Sequence, residues 1–259
     1  MTDSTYDRDL TVATEIAYMA GNIMLQYFDG DQQKVIKHDG SPVTIADTLI
    51  NTMVIERLAV AFPDDGVIGE EESSEDTNQE RVWLCDPIDG TKAYVWGTPT
   101  AMFSLALVVS GKPIVGVAYD PFLKRLYTGI VGQGSFCNGE KLQVSPDTLE
   151  TGIVAASSSL DRLMNNPPSY ILELVKRKIQ TATFSGAVYK ASLVARGKFV
   201  GYIEEKVGPH DMAAVQVIVE EAGGKITGLD GRKLDYRTPF KGAITSNGLV
   251  HDELVRLTA

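Results

Sequence analysis

The chain is organised around the stretch Trp83-Leu84-Cys85-Asp86-Pro87-Ile88-Asp89-Gly90-Thr91, an apolar run that stops in two carboxylates three positions apart. Residues 82–85 are apolar and include a β-branched and an aromatic side chain, which predicts a short buried strand with Asp86 at its end. Pro87 biases Asp86 toward an extended conformation, so we expect a turn that returns Asp89 to the side of Asp86. Two carboxylates with a backbone carbonyl between them suit a hard cation such as Mg²⁺.

The same residues also fit an ordinary turn. Asp-Pro ends many strands, Asp-Gly forms many turns, and Thr91 could cap the next helix. On the metal hypothesis, Gly90 permits a left-handed backbone, and the N–H groups of Gly90 and Thr91 can hold a phosphate. A motif this short has a substantial false-positive rate, so the stretch alone leaves both interpretations open.

Three further acidic segments lie elsewhere in the chain. They are Pro42-Val43-Thr44-Ile45-Ala46-Asp47, then Ile68-Gly69-Glu70-Glu71, and finally Pro209-His210-Asp211-Met212-Ala213-Ala214 with Glu220-Glu221-Ala222-Gly223-Gly224. In this order, together with residues 83–91, they resemble the motifs of the inositol monophosphatase family, and the resemblance runs over nearly the whole chain. It implies an α/β (α+β layered) fold, the five-layered α-β-α-β-α sandwich of the inositol monophosphatase and fructose-1,6-bisphosphatase type.

Composition limits the function classes. The 259 residues are 44% hydrophobic and 22% charged, as in globular proteins, and the net charge of −10 argues against a nucleic-acid or anionic-membrane partner. Bound metal ions would let so acidic a protein take a phosphate. No apolar run approaches the roughly 18 to 20 residues of a membrane span. The chain has two cysteines, and its first residues are polar and acidic, so we expect a cytoplasmic protein with reduced thiols.

Hydrophobic periodicity predicts helices over residues 10–28 and 44–62, and closely spaced strands over residues 102–109, 113–119 and 125–129. Residues 72–80 are predicted to be a loop and residues 129–139 a series of turns. Beyond residue 146, strands and helices alternate. We therefore expect one structural unit with two halves. Residues 1–145 form an α+β half with an antiparallel sheet and most metal ligands, and residues 146–259 form an α/β half that completes the active site.

The resemblance implies a set of metal ligands for two or three Mg²⁺ ions. It also implies that Asp47 accepts a hydrogen bond from Thr91 and that the pair activates a water, with Glu70 counted among the catalytic residues. From the sequence alone, Asp47 is a helix first-turn carboxylate and Asp211 an N-cap. The implied ligands are Glu70, Asp86, Asp89 and Asp211 with the carbonyl of Ile88.

The substrate residues are expected at helix starts and after a strand near the C-terminus. They are Gly90, Thr91, Ser185, Gly186, Ala187 and Asp211, together with Glu204 or Glu205, between which the spacing does not choose. Lys37, a single lysine before a turn, is interpreted as solvated surface. His210 stands where most members of the family have tryptophan, and a lone histidine there is more often a packing or hydrogen-bonding residue than a catalytic one.

The expected activity is Mg²⁺-dependent hydrolysis of inositol monophosphate or a similar small polyol or sugar phosphate. Adenosine 3′,5′-bisphosphate (3′(2′),5′-bisphosphate nucleotidase activity), histidinol phosphate and fructose 1,6-bisphosphate are alternative substrates for the same site. A metal- or phosphate-binding regulatory protein is the non-enzyme alternative. The partner is thus a small phosphorylated metabolite, and the resemblance also implies a homodimer and inhibition by lithium.

Overall fold

The computed structural model describes residues 5–38, 40–74, 79–156 and 164–258, and two large β-sheets organise this part of the chain. The helices are α1 (Asp7–Phe28), α2 (Ile45–Ala61), α3 (Thr91–Val95), α4 (Ser169–Lys176), α5 (Ala187–Ala195), α6 (Pro209–Glu221) and α7 (His251–Thr258). The strands are β1 (Val35–Ile36), β2 (Pro42–Val43), β3 (Gly66–Gly69), β4 (Arg81–Asp89), β5 (Met102–Val109), β6 (Lys112–Asp120), β7 (Arg125–Ile130), β8 (Gly134–Cys137), β9 (Glu140–Lys141), β10 (Ile153–Ala156), β11 (Gln180–Ala182), β12 (Gly201–Glu204), β13 (Lys225–Thr227) and β14 (Ala243–Ser246).

The first sheet has seven strands in the order β3-β4-β5-β6-β7-β8-β9. Its pairs are antiparallel except β3 with β4, which is parallel. The β5–β6 hairpin turns at Ser110 and Gly111, whose φ angles of 49° and 78° are both positive, as in the tight turns whose twist suits a hairpin. The predicted antiparallel sheet is therefore confirmed, with one parallel strand at its edge.

Strand β4 differs from its prediction. The expected strand ends at Cys85, but β4 continues to Asp89, with a register shift between Asp86 and Asp89. Pro87 has no N–H to donate to a neighbouring strand, and the N–H of Ile88 donates to Asp86 Oδ1 at 3.0 Å. The predicted turn is therefore wrong. Instead, a bulge-like irregularity inside the continuous strand holds both carboxylates at the carboxyl end of β4.

The second sheet has five strands in the order β11-β10-β12-β14-β13 and is mixed, as expected for the C-terminal half. Helices α1 and α2 pack on one face of the seven-stranded sheet, and α5 and α6 lie between the two sheets. Helices α4 and α7 cover the outer face of the five-stranded sheet. The result is the predicted five-layered α-β-α-β-α sandwich.

Helix α6 lies close to the seven-stranded sheet because glycine faces it. A Cβ added to Gly116 of β6 would lie 2.3 Å from the carbonyl oxygen of Ala214, so any other residue there would push the helix away. Around this contact the apolar side chains of both sheets and of α5 and α6 form one buried cluster. The first turn of α6 is thereby fixed beside the end of β4.

Several predicted bounds shift. The glycine-rich residues 129–139, expected to be turns, contain β8 and the end of β7, and α6 begins at Pro209 rather than Asp211. Of the predicted loop at residues 72–80, residues 75–78 lie outside the described part. Within the described residues, no helix combines the length and apolar character needed to cross a bilayer. The division into residues 1–145 and 146–259 stays a prediction.

Candidate metal centre

Four acidic side chains from three elements converge at the end of β4. Asp86 and Asp89 flank the irregularity in this strand, Glu70 directly follows β3, and Asp211 lies in the first turn of α6. One oxygen each from Asp86, Asp89 and Asp211 lie within 4.8 Å of one another. The structure thus brings together the predicted side-chain ligands, and Ile88 lies between two of them in β4.

Asp89 is held by the start of helix α5. The N–H groups of Ala187 and Val188 donate to its two carboxylate oxygens at 2.9 and 2.8 Å. Anions are stabilised at helix N-termini, where such N–H groups have no partner within the helix. The N–H of Ala187, a predicted substrate residue, is therefore engaged with a predicted metal ligand.

The backbone around Asp89 requires glycine at two predicted substrate positions. Gly90 has φ of 80° and Gly186 has φ of 100°, values that other residues rarely adopt. A Cβ on Gly186 would lie 2.3 Å from the carbonyl oxygen of Thr100, and one on Gly90 would lie 3.0 Å from Gly186 Cα. Both glycines therefore have a packing role, and Ser185 is half-buried beside them.

Asp211 is the third residue of α6, and its Oδ2 accepts a 2.6 Å hydrogen bond from the N–H of Gly208, which is the N-cap residue. The prediction that Asp211 is the N-cap is wrong by three positions, because Pro209 begins the helix, as proline often does. His210 Nε2 lies 3.6 Å from Asp211 Oδ2. A second possible ion-binding group joins Glu70, Asp86 and His210.

Burial and mutual repulsion raise the pKa values of the three aspartates of the centre. Burial and then the charges of Glu70, Asp89 and Asp211 raise the pKa of Asp86 well above its ordinary value. Burial and then Asp211 raise the pKa of Asp89, although the α5 N–H groups oppose this. Burial likewise raises the pKa of Asp211. Divalent cations would remove this repulsion, and the all-oxygen donor set is the kind that Mg²⁺ prefers.

Asp47 lies in the first turn of α2 and forms a capping box with Thr44. The N–H and hydroxyl of Thr44 donate to Asp47 Oδ2 at 2.8 and 2.6 Å. Asp47 Oδ1 is buried and has no hydrogen-bond partner among the described residues. Burial raises the pKa of Asp47 to about 7. The Thr91 hydroxyl donates to the carbonyl oxygen of Ile88 at 3.0 Å, so the implied bond from Thr91 to Asp47 is not formed.

Lys37 is the first residue that the sequence interpretation placed wrongly. Its Nζ lies 3.0 Å from Glu70 Oε1 and 2.6 Å from Glu71 Oε1, and its side chain is 24% exposed. The prediction of solvated surface is therefore wrong. Its partners lie more than 30 positions away in sequence, so only the fold could reveal them.

Lys190 is a second missed residue. Its Nζ lies 3.3 Å from Glu204 Oε2 and 4.6 Å from the centre of the Tyr202 ring, and its side chain is 1% exposed. The Tyr202 hydroxyl donates to the same oxygen of Glu204 at 3.0 Å. The sequence does contain one indication of this buried lysine, because Lys190 lies on a helix face that is otherwise apolar. Glu204 is buried and Glu205 half-buried.

The chain is similar to known proteins over almost its whole length. The profile of the Inositol monophosphatase family matches residues 5–259. A histidinol-phosphatase of Chlorobaculum parvum is 34% identical over 226 residues, which cover 87% of this chain and 87% of the relative. A fructose-1,6-bisphosphatase/inositol-1-monophosphatase of Thermotoga maritima is 33% identical over 83% of this chain and 81% of its own length. The solved structure of an IMPase/NADP phosphatase complexed with Mg²⁺ and phosphate superposes with a TM-score of 0.85 at 27% identity, covering 98% of this chain and 96% of that one.

Proposed function

The chain belongs to the inositol monophosphatase family and is a phosphoric monoester hydrolase; from this premise we propose that it hydrolyses inositol monophosphate, or a similar small polyol or sugar phosphate, with Mg²⁺. The observation that carries the proposal is the convergence of Asp86, Asp89 and Asp211, whose pKa values burial raises. Such a cluster costs folding free energy unless cations bind it. Two or three bound ions, as the resemblance implies, would repay this cost.

The ligands would be Glu70, Asp86, Asp89 and Asp211 with the carbonyl of Ile88. Bound Mg²⁺ would neutralise the phosphoryl oxygens and lower the pKa of a water. The chain supplies the positioning. Asp89 is fixed by α5, and Asp211 by the N–H of Gly208.

We assign proton acceptance from the attacking water to Asp47 Oδ1. This oxygen has no hydrogen-bond partner among the described residues, and burial raises the pKa of Asp47 to about 7, near the value that suits a base at neutral pH. Thr91 would assist after its hydroxyl turns from the Ile88 carbonyl toward Asp47. In the structure as described the hydroxyl donates to Ile88, so this assistance requires a change of rotamer or of hydroxyl direction.

The substrate would contact the remaining predicted residues. The N–H groups of Gly90 and Thr91 would bind the phosphate, and the region of Ser185, Gly186 and Ala187 would flank the alcohol part. Glu204 or Glu205 would accept a hydrogen bond from a substrate hydroxyl. The ion pair with Lys190 supports Glu204, because it fixes the position of that buried carboxylate.

Histidinol phosphate is the second candidate substrate. It is favoured by the histidinol-phosphatase relatives, which are 34% and 33% identical to this chain. Fructose 1,6-bisphosphate and adenosine 3′,5′-bisphosphate are the remaining alternatives. Assembly as a homodimer, inhibition by lithium and a cytoplasmic location also stay proposals, carried by the family alone.

The test is phosphate release by the purified chain on inositol 1-phosphate, histidinol phosphate, fructose 1,6-bisphosphate and adenosine 3′,5′-bisphosphate, each with and without Mg²⁺. We expect Mg²⁺-dependent release by the wild type, and the substrate with the highest kcat/KM identifies the branch of the family. Release that is unchanged by EDTA would contradict the metal-dependent mechanism. No release on any of the four would favour a metal- or phosphate-binding regulatory protein.

A further inference from the structure

The three histidines of the chain have different surroundings. His38 is exposed. His251 is buried, with Ser246 Oγ 2.8 Å from Nδ1 and Thr227 Oγ1 2.9 Å from Nε2, so both of its ring nitrogens have hydroxyl partners. His210 alone among them lies beside the carboxylates of the metal centre.

His210 is the second residue of α6, and the helix start directs its ring toward the end of β4. One ring nitrogen, one oxygen of Glu70 and one oxygen of Asp86 all lie within 4.8 Å of one another. Within the described parts of the chain, no hydrogen bond to the His210 ring is found, since the 3.6 Å from Nε2 to Asp211 Oδ2 is too long for one. The ring is 32% exposed, and its nitrogens are open to a ligand.

The spacing of these three atoms is close to that of one coordination sphere. An ion with bonds of about 2.0–2.3 Å holds ligand atoms up to roughly 4.5 Å apart, so a small rotation of one side chain closes the set. Lys37 binds Glu70 through Oε1, and Glu70 has a second carboxylate oxygen for an ion. Asp86 belongs to both this group and the all-oxygen group with Asp89 and Asp211.

We propose that His210 supplies a nitrogen ligand to a divalent ion held by Glu70 and Asp86, and that this position takes Mn²⁺ or Zn²⁺ in preference to Mg²⁺. Imidazole suits transition ions, whereas Mg²⁺ prefers oxygen ligands. The group of Asp86, Asp89 and Asp211 contains only oxygen donors and keeps its preference for Mg²⁺. The two ion positions therefore differ in the metal that they select, although they share Asp86.

The inference rests on the proposed function, since both place divalent ions on Asp86. What it adds is the role of His210 and the selectivity of one position. A ligand role also explains why the His210 ring, which faces two carboxylates at the start of α6, makes no hydrogen bond to the described residues, whereas the ring of His251 makes two.

The direct test is pulsed electron paramagnetic resonance of Mn²⁺ bound to the full chain. We expect the electron-spin-echo modulation of a directly bound ¹⁴N, replaced by a ¹⁵N signal when the protein is made with [¹⁵N]histidine. The modulation should disappear in His210→Asn and persist in the matched control His38→Asn. The labelling experiment needs no variant, so it stands even where His210→Asn folds poorly.

Calorimetric titration measures the selectivity. In His210→Asn we expect Mn²⁺ affinity at one position to fall about tenfold or more, the size of effect seen when a metal site loses a supporting group, while Mg²⁺ affinity changes less than about threefold. The thermal midpoints of both variants without metal provide the folding control.

The outcomes separate the two proposals. Mn²⁺ that binds the wild type without a histidine nitrogen signal overturns the role of His210 and leaves the proposed phosphatase mechanism standing. An equal loss of Mn²⁺ and Mg²⁺ affinity in His210→Asn overturns the selectivity. A wild-type chain that binds neither ion contradicts both this inference and the proposed function.

Discussion

Two lysines lie beside carboxylates of the metal centre, and their regions differ in contact with solvent. At the rim, Lys37 pairs with Glu70 and Glu71 and is 24% exposed. In the interior, Lys190 pairs with Glu204 and is 1% exposed. We call these regions the rim pair and the buried pair. Water screens the charges of the rim pair. The buried pair is enclosed by protein, and the Tyr202 ring lies against Lys190 Nζ.

The difference indicates that the two lysines have different roles: one contacts a predicted metal ligand and the other a predicted substrate residue. Lys37 holds Glu70, a predicted metal ligand, through Oε1 and leaves the second carboxylate oxygen of Glu70 for an ion. Hydrogen bonding to Glu71 and the charge of Glu70 outweigh burial and raise the pKa of Lys37. Lys190 holds a predicted substrate residue that no ion is proposed to bind. Burial lowers the pKa of Lys190 although Glu204 opposes this, so its charge depends on the partner. The rim cation is thus partly screened by water, whereas the buried cation depends on its carboxylate partner.

The largest effect concerns Asp89, a predicted metal ligand that is shared by neither lysine pair. Asp89→Asn should lower kcat at least about 100-fold, because changes outside the ligand shell alone cost about 10–100-fold. The assay is Mg²⁺-dependent phosphate release on the best substrate. Asp64→Asn, at an exposed position, is the matched control. Near-normal turnover by Asp89→Asn would contradict the proposed metal-dependent hydrolysis, and both lysine pairs would then lose their proposed connection with catalysis.

The comparison predicts different stability losses for the two lysines. Lys190→Met leaves the buried Glu204 without its cation and should lower the free energy of unfolding by about 3–5 kcal/mol. Lys37→Met should cost no more than about 1 kcal/mol, as for solvent-screened pairs. Urea unfolding of both variants without metal measures the contrast. Equal losses of unfolding free energy in the two variants would contradict the distinction between a solvent-screened ion pair and a buried one.

Mg²⁺ should stabilise the chain, and more so at higher pH. At 100 times its Kd it adds about 2.7 kcal/mol, or roughly 5–10 °C in the thermal midpoint of a chain this long. The raised pKa values of Asp86 and Asp89 mean that protons compete with the ion, so the shift should be larger at pH 8 than at pH 5.5. Scanning calorimetry at both pH values measures it. A shift independent of pH would show that these carboxylates do not bind the ion.

The smallest effect comes from His251, which belongs to neither pair. Its pKa is lowered, whereas the pKa values of the aspartates of the metal centre are raised. Burial lowers its pKa to about 4, whereas an unfolded histidine titrates near 6.5. Since the unfolded chain binds the proton more readily, the stability contribution is present above about pH 6.5 and is lost toward pH 4, with a loss of about 1.4 kcal/mol at pH 5.5. Urea unfolding with Mg²⁺ present, on wild type and His251→Gln, measures this. A wild-type loss retained in the variant would assign it to other groups.

The sequence predicted what local patterns and motif order can carry. Strand β5 has the predicted bounds, since its apolar run ends in turn residues. The acidic motifs predicted, through the resemblance, which carboxylates converge at the end of β4. Neither source could reveal Lys37 or Lys190, because an ion pair between distant segments leaves no local pattern. The predicted β4 is too short because a proline usually ends a central strand. Here the strand continues past Pro87 with an irregularity in its register.

The bonds from Asp89 to the start of α5 have a consequence for synthesis of the chain. They join residues 98 and 99 positions apart, so closing this contact requires a long loop. At about 5–20 residues per second, a ribosome needs roughly 5–20 s to add the residues between them. During that interval Asp86 and Asp89 have emerged without the helix that later holds them. A metal ion that binds these carboxylates would therefore meet an incomplete acidic segment first, and the hydrogen bonds that fix Asp89 form only after α5 has been made.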